Sequence, residues 1–273
     1  MCFGVRDAIR ATHEAASRSS SVAVLGQLVH NPVVDAALRQ AGVARIEDPD
    51  QADLSRTHAV ITAHGVSARR REAFARNARE LTDTTCPLVR KAHDALALLV
   101  RQGCHPVVIG QLRHVEVQGL IGDYPDASVL LAEEDLARLP EGIPLGLVAQ
   151  TTQPLETVLA WVDRVKRARP LQAVHFIDTV CHPTKQRQQA LEDLLRFCQV
   201  IIVVGGHHSH NTRQLAAKAT AAGVPAHHVE RAGELDPAWL PDSGHVGVTA
   251  GTSTLDETVR DVVDRLRLLA TAS

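Results

Sequence analysis

Aromatic side chains are scarce in this 273-residue chain, at 3% of the total with two tryptophans and one tyrosine. That scarcity removes the stacking platform on which proteins hold single-stranded nucleic acid. An excess of charge is also missing, since 29 basic residues stand against 31 acidic ones, and no electrostatic footprint is left for a polyanion or an anionic membrane surface. No apolar run approaches the roughly 20 residues that span a bilayer. The amino terminus lacks the succession of basic, apolar and small-residue segments of a secretion signal. The expectation is a cytoplasmic protein with neither nucleic acid nor membrane as partner. Closely spaced cysteine pairs are lacking too. The five cysteines (Cys2, Cys86, Cys104, Cys181 and Cys198) are scattered, which in a reducing compartment points away from disulfides and toward metal or redox use.

What is present is a regular alternation. Short β-branched runs (V-A-V-L-G, A-V-I-T-A, P-V-V-I-G, G-L-V-A, V-I-I-V-V-G and V-G-V-T-A) are each followed by an amphipathic segment. That pattern predicts an α/β fold with parallel sheets. It also repeats. Cys2, Cys86 and Cys181 each open a helical segment (C-F-G-V-R-D-A, C-P-L-V-R-K-A and C-H-P-T-K-Q-R), with a basic residue four places on. Gly26, Gly110 and Gly205 follow at one constant distance, and each closes a β-run. Further columns give His30, His114 and Ser209, then Pro32, Glu116 and Asn211. A third strand in each copy ends T-A-H-G-V-S, V-A-Q-T-T-Q or T-A-G-T-S-T, which superposes His64, Gln150 and Gly251, and then Val66, Thr152 and Ser253. The predicted architecture is three similar α/β units, residues 1–86, 87–180 and 181–273, in a pseudo-threefold arrangement.

In open parallel sheets ligands gather beyond the carboxyl ends of the strands. Three such edges facing one centre would bring Cys2, Cys86 and Cys181 together inside a ring of polar side chains. Three thiolates without a fourth leave a coordination position open, as a catalytic centre requires. An iron–sulfur cluster with one free iron fits this count, and a Cys3His zinc site is the competing reading. Cys104 and Cys198 match nothing in the sister copies and read as buried structural residues. His30, His64, His114, Ser209, Asn211 and Ser253 supply hydrogen-bond donors at strand-to-helix junctions, a setting for an anion such as a diphosphate. No nucleotide-binding glycine motif accompanies them. Glu116, the one acid among the columns, is suited to delivering a proton.

Together, L-V-H-N (28–31), T-A-H-G-V-S (62–67), T-C-P-L-V (85–89), H-V-E-V-Q-G (114–119), Q-T-T (150–152), S-H-N-T (209–212), T-A-G-T-S (249–253) and the Cys181 helix start cover nearly the whole chain. In these motifs the sequence resembles the 4-hydroxy-3-methylbut-2-enyl diphosphate reductases, which end the methylerythritol phosphate route to isoprenoid precursors. The resemblance implies that Cys2, Cys86 and Cys181 ligate one 4Fe-4S cluster with an open iron. It implies that His30, His64, His114, Ser209, Asn211 and Ser253 hold the diphosphate. Glu116 and Thr151 would approach the allylic hydroxyl, with Thr152 on the same wall. The implied reaction takes two electrons and two protons, expels the hydroxyl as water and yields isopentenyl and dimethylallyl diphosphates. Ferredoxin or flavodoxin is the implied electron donor.

The sequence departs from the family at the start. The second and third cysteines have a lead-in strand, whereas the chain begins Met1-Cys2. The expectation is that the first copy lacks its opening strand and that the chain as written loads its cluster poorly. Val115 stands where proline is usual, His210 stands where a small residue is common, and the tail ends soon after its last helix. Two other functions remain open at this point: an iron–sulfur sensor on the same fold, and a zinc-dependent phosphoester hydrolase.

Overall fold

A computed structural model describes residues 1–48, 50 and 52–272, and shows an α/β chain with three parallel sheets of three or four strands. The first sheet is built from β1 (Val22–Leu25), β2 (Ala44–Ile46), β3 (His58–Ile61) and β4 (Glu80–Asp83), in the order β2-β1-β3-β4. Helices α1 (Phe3–Arg18), α2 (Pro32–Gln40) and α3 (Ala68–Asn77) alternate with these strands. The second has α4 (Pro87–Arg101), β5 (His105–Ile109), α5 (Val115–Ile121), β6 (Ser128–Leu130), α6 (Glu133–Leu136), β7 (Leu145–Ala149), α7 (Leu155–Ala168) and β8 (Val174–Phe176), in the order β6-β5-β7-β8. The third has α8 (His182–Leu195), β9 (Val200–Val204), α9 (His210–Ala221), β10 (Ala226–Val229), β11 (Val246–Ala250) and α10 (Asp256–Ala272), in the order β10-β9-β11. By compactness the chain divides into two units. One holds Met1–Val5, His30–Val33 and the residues from His182 onward, and the other holds Arg6–Val29 and Val34–Cys181.

Parallel strands covered on both faces need apolar side chains pointing both ways. The second sheet shows this in β5, where Val107 and Ile109 join Trp161 and Val165 of α7, while Val108 joins Leu96 and Leu99 of α4 and Leu120 of α5. The third sheet repeats the scheme. Ile202 and Val204 pack toward Val262 and Leu269 of α10, and Ile201 and Val203 toward Leu191 and Leu215 of α8 and α9. Cys104 and Cys198 lie inside these clusters, as unmatched thiols should.

The glycine column earns its place by close approach. Gly26, Gly110 and Gly205 each follow a central strand and donate their N–H to the neighbouring edge strand, at Ile46, Leu130 and Val229. A Cβ on Gly110 would lie 2.8 Å from Gln150 Cβ and 2.9 Å from Val117; one on Gly205 would meet the hydroxyls of Thr212 and Thr254 at 2.6 and 2.7 Å. At Gly110 and Gly205 a side chain would collide with these neighbours, whereas Gly26 has room around it and is needed for its left-handed backbone, φ +98°.

One part of the predicted register is corrected. The turns after the third strands are closed by matching hydrogen bonds, Gly65 N–H to Thr62, Gln153 to Gln150 and Thr254 to Gly251. The equivalent residues are therefore Thr62, Gln150 and Gly251, then His64, Thr152 and Ser253. The shared Thr-Ala letters had shifted the first copy by two places, because β3 ends at Ile61 whereas β7 and β11 end on alanine. The corrected column is the more coherent, since it puts three predicted anion-binding residues at one structural position.

Candidate active site

Each of the three predicted cysteine ligands stands immediately before a helix, Cys2 before α1, Cys86 before α4 and Cys181 before α8. Their backbones are pinned alike. Cys86 N–H donates to the Ala63 carbonyl at 3.0 Å, Cys181 to Thr151 at 2.9 Å and Cys2 to Thr252 at 2.9 Å. Ala63, Thr151 and Thr252 occupy one position of the corrected register. All three cysteines are half-buried at the positive end of a helix, where a thiolate is stabilised. Cys104 and Cys198 are buried instead, and burial raises their thiol pKa values.

In the unit that ends at Cys181, α5 and the loop after β7 build an acid site. Glu116, only 2% exposed, sits in the first turn of α5. Its carboxyl accepts the Thr151 N–H at 2.6 Å and pairs with the Thr151 hydroxyl at 3.0 Å. Burial dominates over these two bonds and pushes its pKa up to about 7. Glu116 is thus a carboxyl that can hold a proton near neutrality and release it. His114 caps α5 with Nδ1, which accepts the Glu116 N–H at 3.1 Å. The neutral ring then carries its hydrogen on Nε2, ready to donate. His64 lies edge-on to it, with ring centroids 5.6 Å apart.

The loop carrying His64 is held tightly. Gly65 has φ +72°, and a Cβ there would come within 2.8 Å of Thr85 Cγ2, next to Cys86. On the other side Gly119 of α5 approaches the Gly65 carbonyl, and Asp123 accepts the N–H groups of Ala68 and Arg69 at the start of α3. Gly65→Ala is expected to cost about 2 kcal/mol of stability, which denaturant unfolding would measure, because alanine pays both for the left-handed backbone and for the contact with Thr85.

The other unit brings a second group together. Ser253 Oγ donates to the His30 carbonyl at 3.3 Å, and Asn31 Nδ2 donates to the Ser253 carbonyl at 2.7 Å while its Oδ1 accepts from Val33 N–H. Sequence reasoning quoted Asn31 within a motif but gave it no task; its place before α2 was the available signal, since asparagine there caps a helix. Gly206 comes close to the His30 carbonyl, where a Cβ would sit at 2.9 Å. From that loop Ser209 caps α9, accepting the Thr212 N–H at 3.3 Å. Asn211 is buried, and its Oδ1 has no hydrogen-bond partner among the described residues. A buried amide oxygen left unpaired is costly unless something else satisfies it. His210 beside it is kept neutral, with a pKa lowered to about 4 chiefly by burial.

Comparison with known proteins gives a consistent result. The profile of the LytB protein family matches residues 1–267. A 4-hydroxy-3-methylbut-2-enyl diphosphate reductase of a Geobacter species (strain M21) is 36% identical over 271 residues, covering 97% of this chain and 93% of that protein. The reductase of the same name from Azotobacter vinelandii is also 36% identical, covering 97% of this chain and 87% of its own. Among solved structures, the E-1-hydroxy-2-methyl-but-2-enyl-4-diphosphate reductase of Plasmodium falciparum superposes with a TM-score of 0.88 at 27% identity, over 97% of this chain and 84% of that one. An (E)-4-hydroxy-3-methyl-but-2-enyl diphosphate reductase, the terminal enzyme of the non-mevalonate pathway, gives 0.71 at 30% identity, over 98% and 96% of the two chains. With the paired Glu116 and Thr151, the pinned cysteines and these matches in hand, the chain belongs to the LytB protein family of 4-hydroxy-3-methylbut-2-enyl diphosphate reductases.

Proposed function

We propose that this protein reduces (E)-4-hydroxy-3-methylbut-2-enyl diphosphate to isopentenyl and dimethylallyl diphosphates. The observation that carries the proposal is the buried Glu116 carboxyl, set on Thr151, whose own carbonyl holds Cys181. A proton source is thereby tied through Thr151 to a proposed metal ligand. The donor set fits a 4Fe-4S cluster: three partly exposed thiols at helix N-termini, Cys2, Cys86 and Cys181, match a cluster with three cysteine ligands better than a four-ligand structural zinc site. When bound, such a cluster supplies electrons at low potential and an open, Lewis-acidic iron.

The residues divide the remaining work. His30, His64, His114, Ser209, Asn211 and Ser253 present donors to the diphosphate, and Thr152, on the wall beside Thr151 but level in the corrected register with His64 and Ser253, joins them. Glu116 and Thr151 face the allylic hydroxyl, and the proton held by Glu116 leaves with that oxygen as water when the C–O bond breaks. Two electrons and a second proton, delivered to one end or the other of the allyl unit, complete the two products. A ferredoxin or flavodoxin supplies the electrons, and the reaction belongs to the cytoplasm. In this reading the chain is three repeats, 1–86, 87–180 and 181–273, of which residues 49, 51 and 273 lie outside the described residues. Among the described residues no helix is long and apolar enough to cross a membrane.

Protein prepared without oxygen tests this directly. It should carry iron and sulfide, and with a low-potential donor it should consume two electrons per diphosphate while forming both products. Iron-loaded protein that leaves the substrate intact, or protein that holds zinc and no iron, would overturn the proposal.

A further inference from the structure

The loop after β7 contains a side chain with no role so far. Gln150 is 0% exposed, and its carboxamide is bonded at both ends. Oε1 accepts the Gln111 N–H at 3.1 Å and an N–H of the Gln153 amide at 3.3 Å, while Nε2 donates to Thr152 Oγ1 at 3.1 Å. The orientation is forced, because turning the amide over would set its NH2 against the Gln111 N–H, donor against donor. Thr152 Oγ therefore accepts from Gln150, and its own hydrogen must point elsewhere. Gly110 supplies the room, since a Cβ there would lie 2.8 Å from Gln150 Cβ and 3.0 Å from Oε1. The same amide bonds to the turn whose Gln111 carbonyl accepts the His114 N–H at 2.9 Å.

We propose that Gln150 is a positioning residue that fixes the Thr152 hydroxyl as a donor to the substrate's diphosphate. The inference rests on the reading of Thr152 as a diphosphate contact. Without the amide, nothing occupies the Thr152 lone pair or fixes the direction of its hydrogen, and holding that hydrogen on the anion costs rotational freedom. The hydrogen bonds of the Gln150 amide go to Gln111, Thr152 and Gln153 and to neither Glu116 nor a cysteine, so its effect falls on binding. The equivalent positions in the sister sheets are Thr62 and Gly251, neither of which can provide this amide bridge, so the device belongs to the second sheet alone.

The test uses cluster-loaded protein and inorganic diphosphate, which binds without reacting. Gln150→Met should weaken diphosphate binding about tenfold, the size of one hydrogen bond to a charged group. KM should rise in proportion, while kcat stays within about twofold and iron content is unchanged, the signature of lost binding common to ground and transition states. Thr152→Val should weaken binding similarly, and the double variant should fall well short of the product of the two losses, since both remove one contact. Thr152→Ser, which keeps the hydroxyl, should bind as the parent does. If Gln150→Met loses its cluster, Gln150→Glu takes its place. It has the same shape, can only accept when ionised, and should weaken binding at least as much. Unweakened binding in the Gln150 variant, or losses that multiply fully, overturns the proposal. Unweakened binding in Thr152→Val overturns the diphosphate reading of Thr152 on which it stands.

Discussion

Glu116→Gln is expected to lower turnover by about 10²- to 10⁴-fold, the usual span for losing a general acid, while the protein keeps its iron and its affinity for inorganic diphosphate. Glutamine has the same shape and can still accept the Thr151 N–H through Oε1, so the turn that also holds Cys181 stays in place. What it cannot do is hand over a proton. Turnover close to that of the parent would show that the proton comes from elsewhere. Loss of iron in the same variant would show that Glu116 is structural and not the donor.

The sign of the pH dependence follows from the raised pKa. The reaction needs the acid form, so the rate should be high below a pKa of about 7 and fall as pH rises through it. Glu116→Gln should flatten that profile along with lowering it. Stability moves the same way. The folded protein holds this proton up to about pH 7, whereas the unfolded chain gives it up near the ordinary value of 4.5. Folded stability contributed by the neutral acid is therefore full below about 4.5 and lost as pH rises through about 7. Relative to the parent, Glu116→Gln should gain thermal stability at pH 8 and gain much less at pH 4. A gain that does not change with pH would mean that folding leaves the pKa of this carboxyl where it is in the unfolded chain.

Most of this site was legible in the sequence because the chain says it three times. A single cysteine before a proline is ambiguous, but Cys2, Cys86 and Cys181 recur in register, and the structure pins all three N–H groups in the same way. Glycines at 26, 110 and 205 were legible for the same reason. Side-chain bridges that occur in one copy alone were not. Gln150 gives no sign in the sequence that its amide spans from Gln111 to Thr152, because that depends on the space left by Gly110, and nothing in the sister copies repeats it. The short edge strands β2, β6 and β10 also escaped notice, since three or four residues leave too little periodicity to read. The two-place shift at His64 arose from a match of letters where strand length decides the register. Nor does the sequence show that Cys2, first in the chain, hangs from the Thr252 carbonyl at the far end of it.

The cysteines give the second large effect. Cys86→Ser and Cys181→Ser are each expected to lose most of the iron and with it all activity, because a serine oxygen is a poor replacement for a soft thiolate ligand. Cys104→Ser should do the opposite. Cys104 and Leu99 both pack onto Gly146, where an added Cβ would be only 2.9 Å from Cys104 Cβ and 2.7 Å from Leu99 Cβ. A hydroxyl there gains no evident partner, so stability should fall by about 1–3 kcal/mol while iron and rate per folded molecule hold. Iron analysis alongside thermal unfolding separates the two kinds of cysteine, since one loses metal without needing to lose stability and the other loses stability without losing metal. If Cys104→Ser bled iron, the repeat would have picked the wrong thiols. The burial that raises the Cys104 pKa argues against that, for a ligand must be a thiolate, and a thiol surrounded by leucine and valine has every reason to stay protonated.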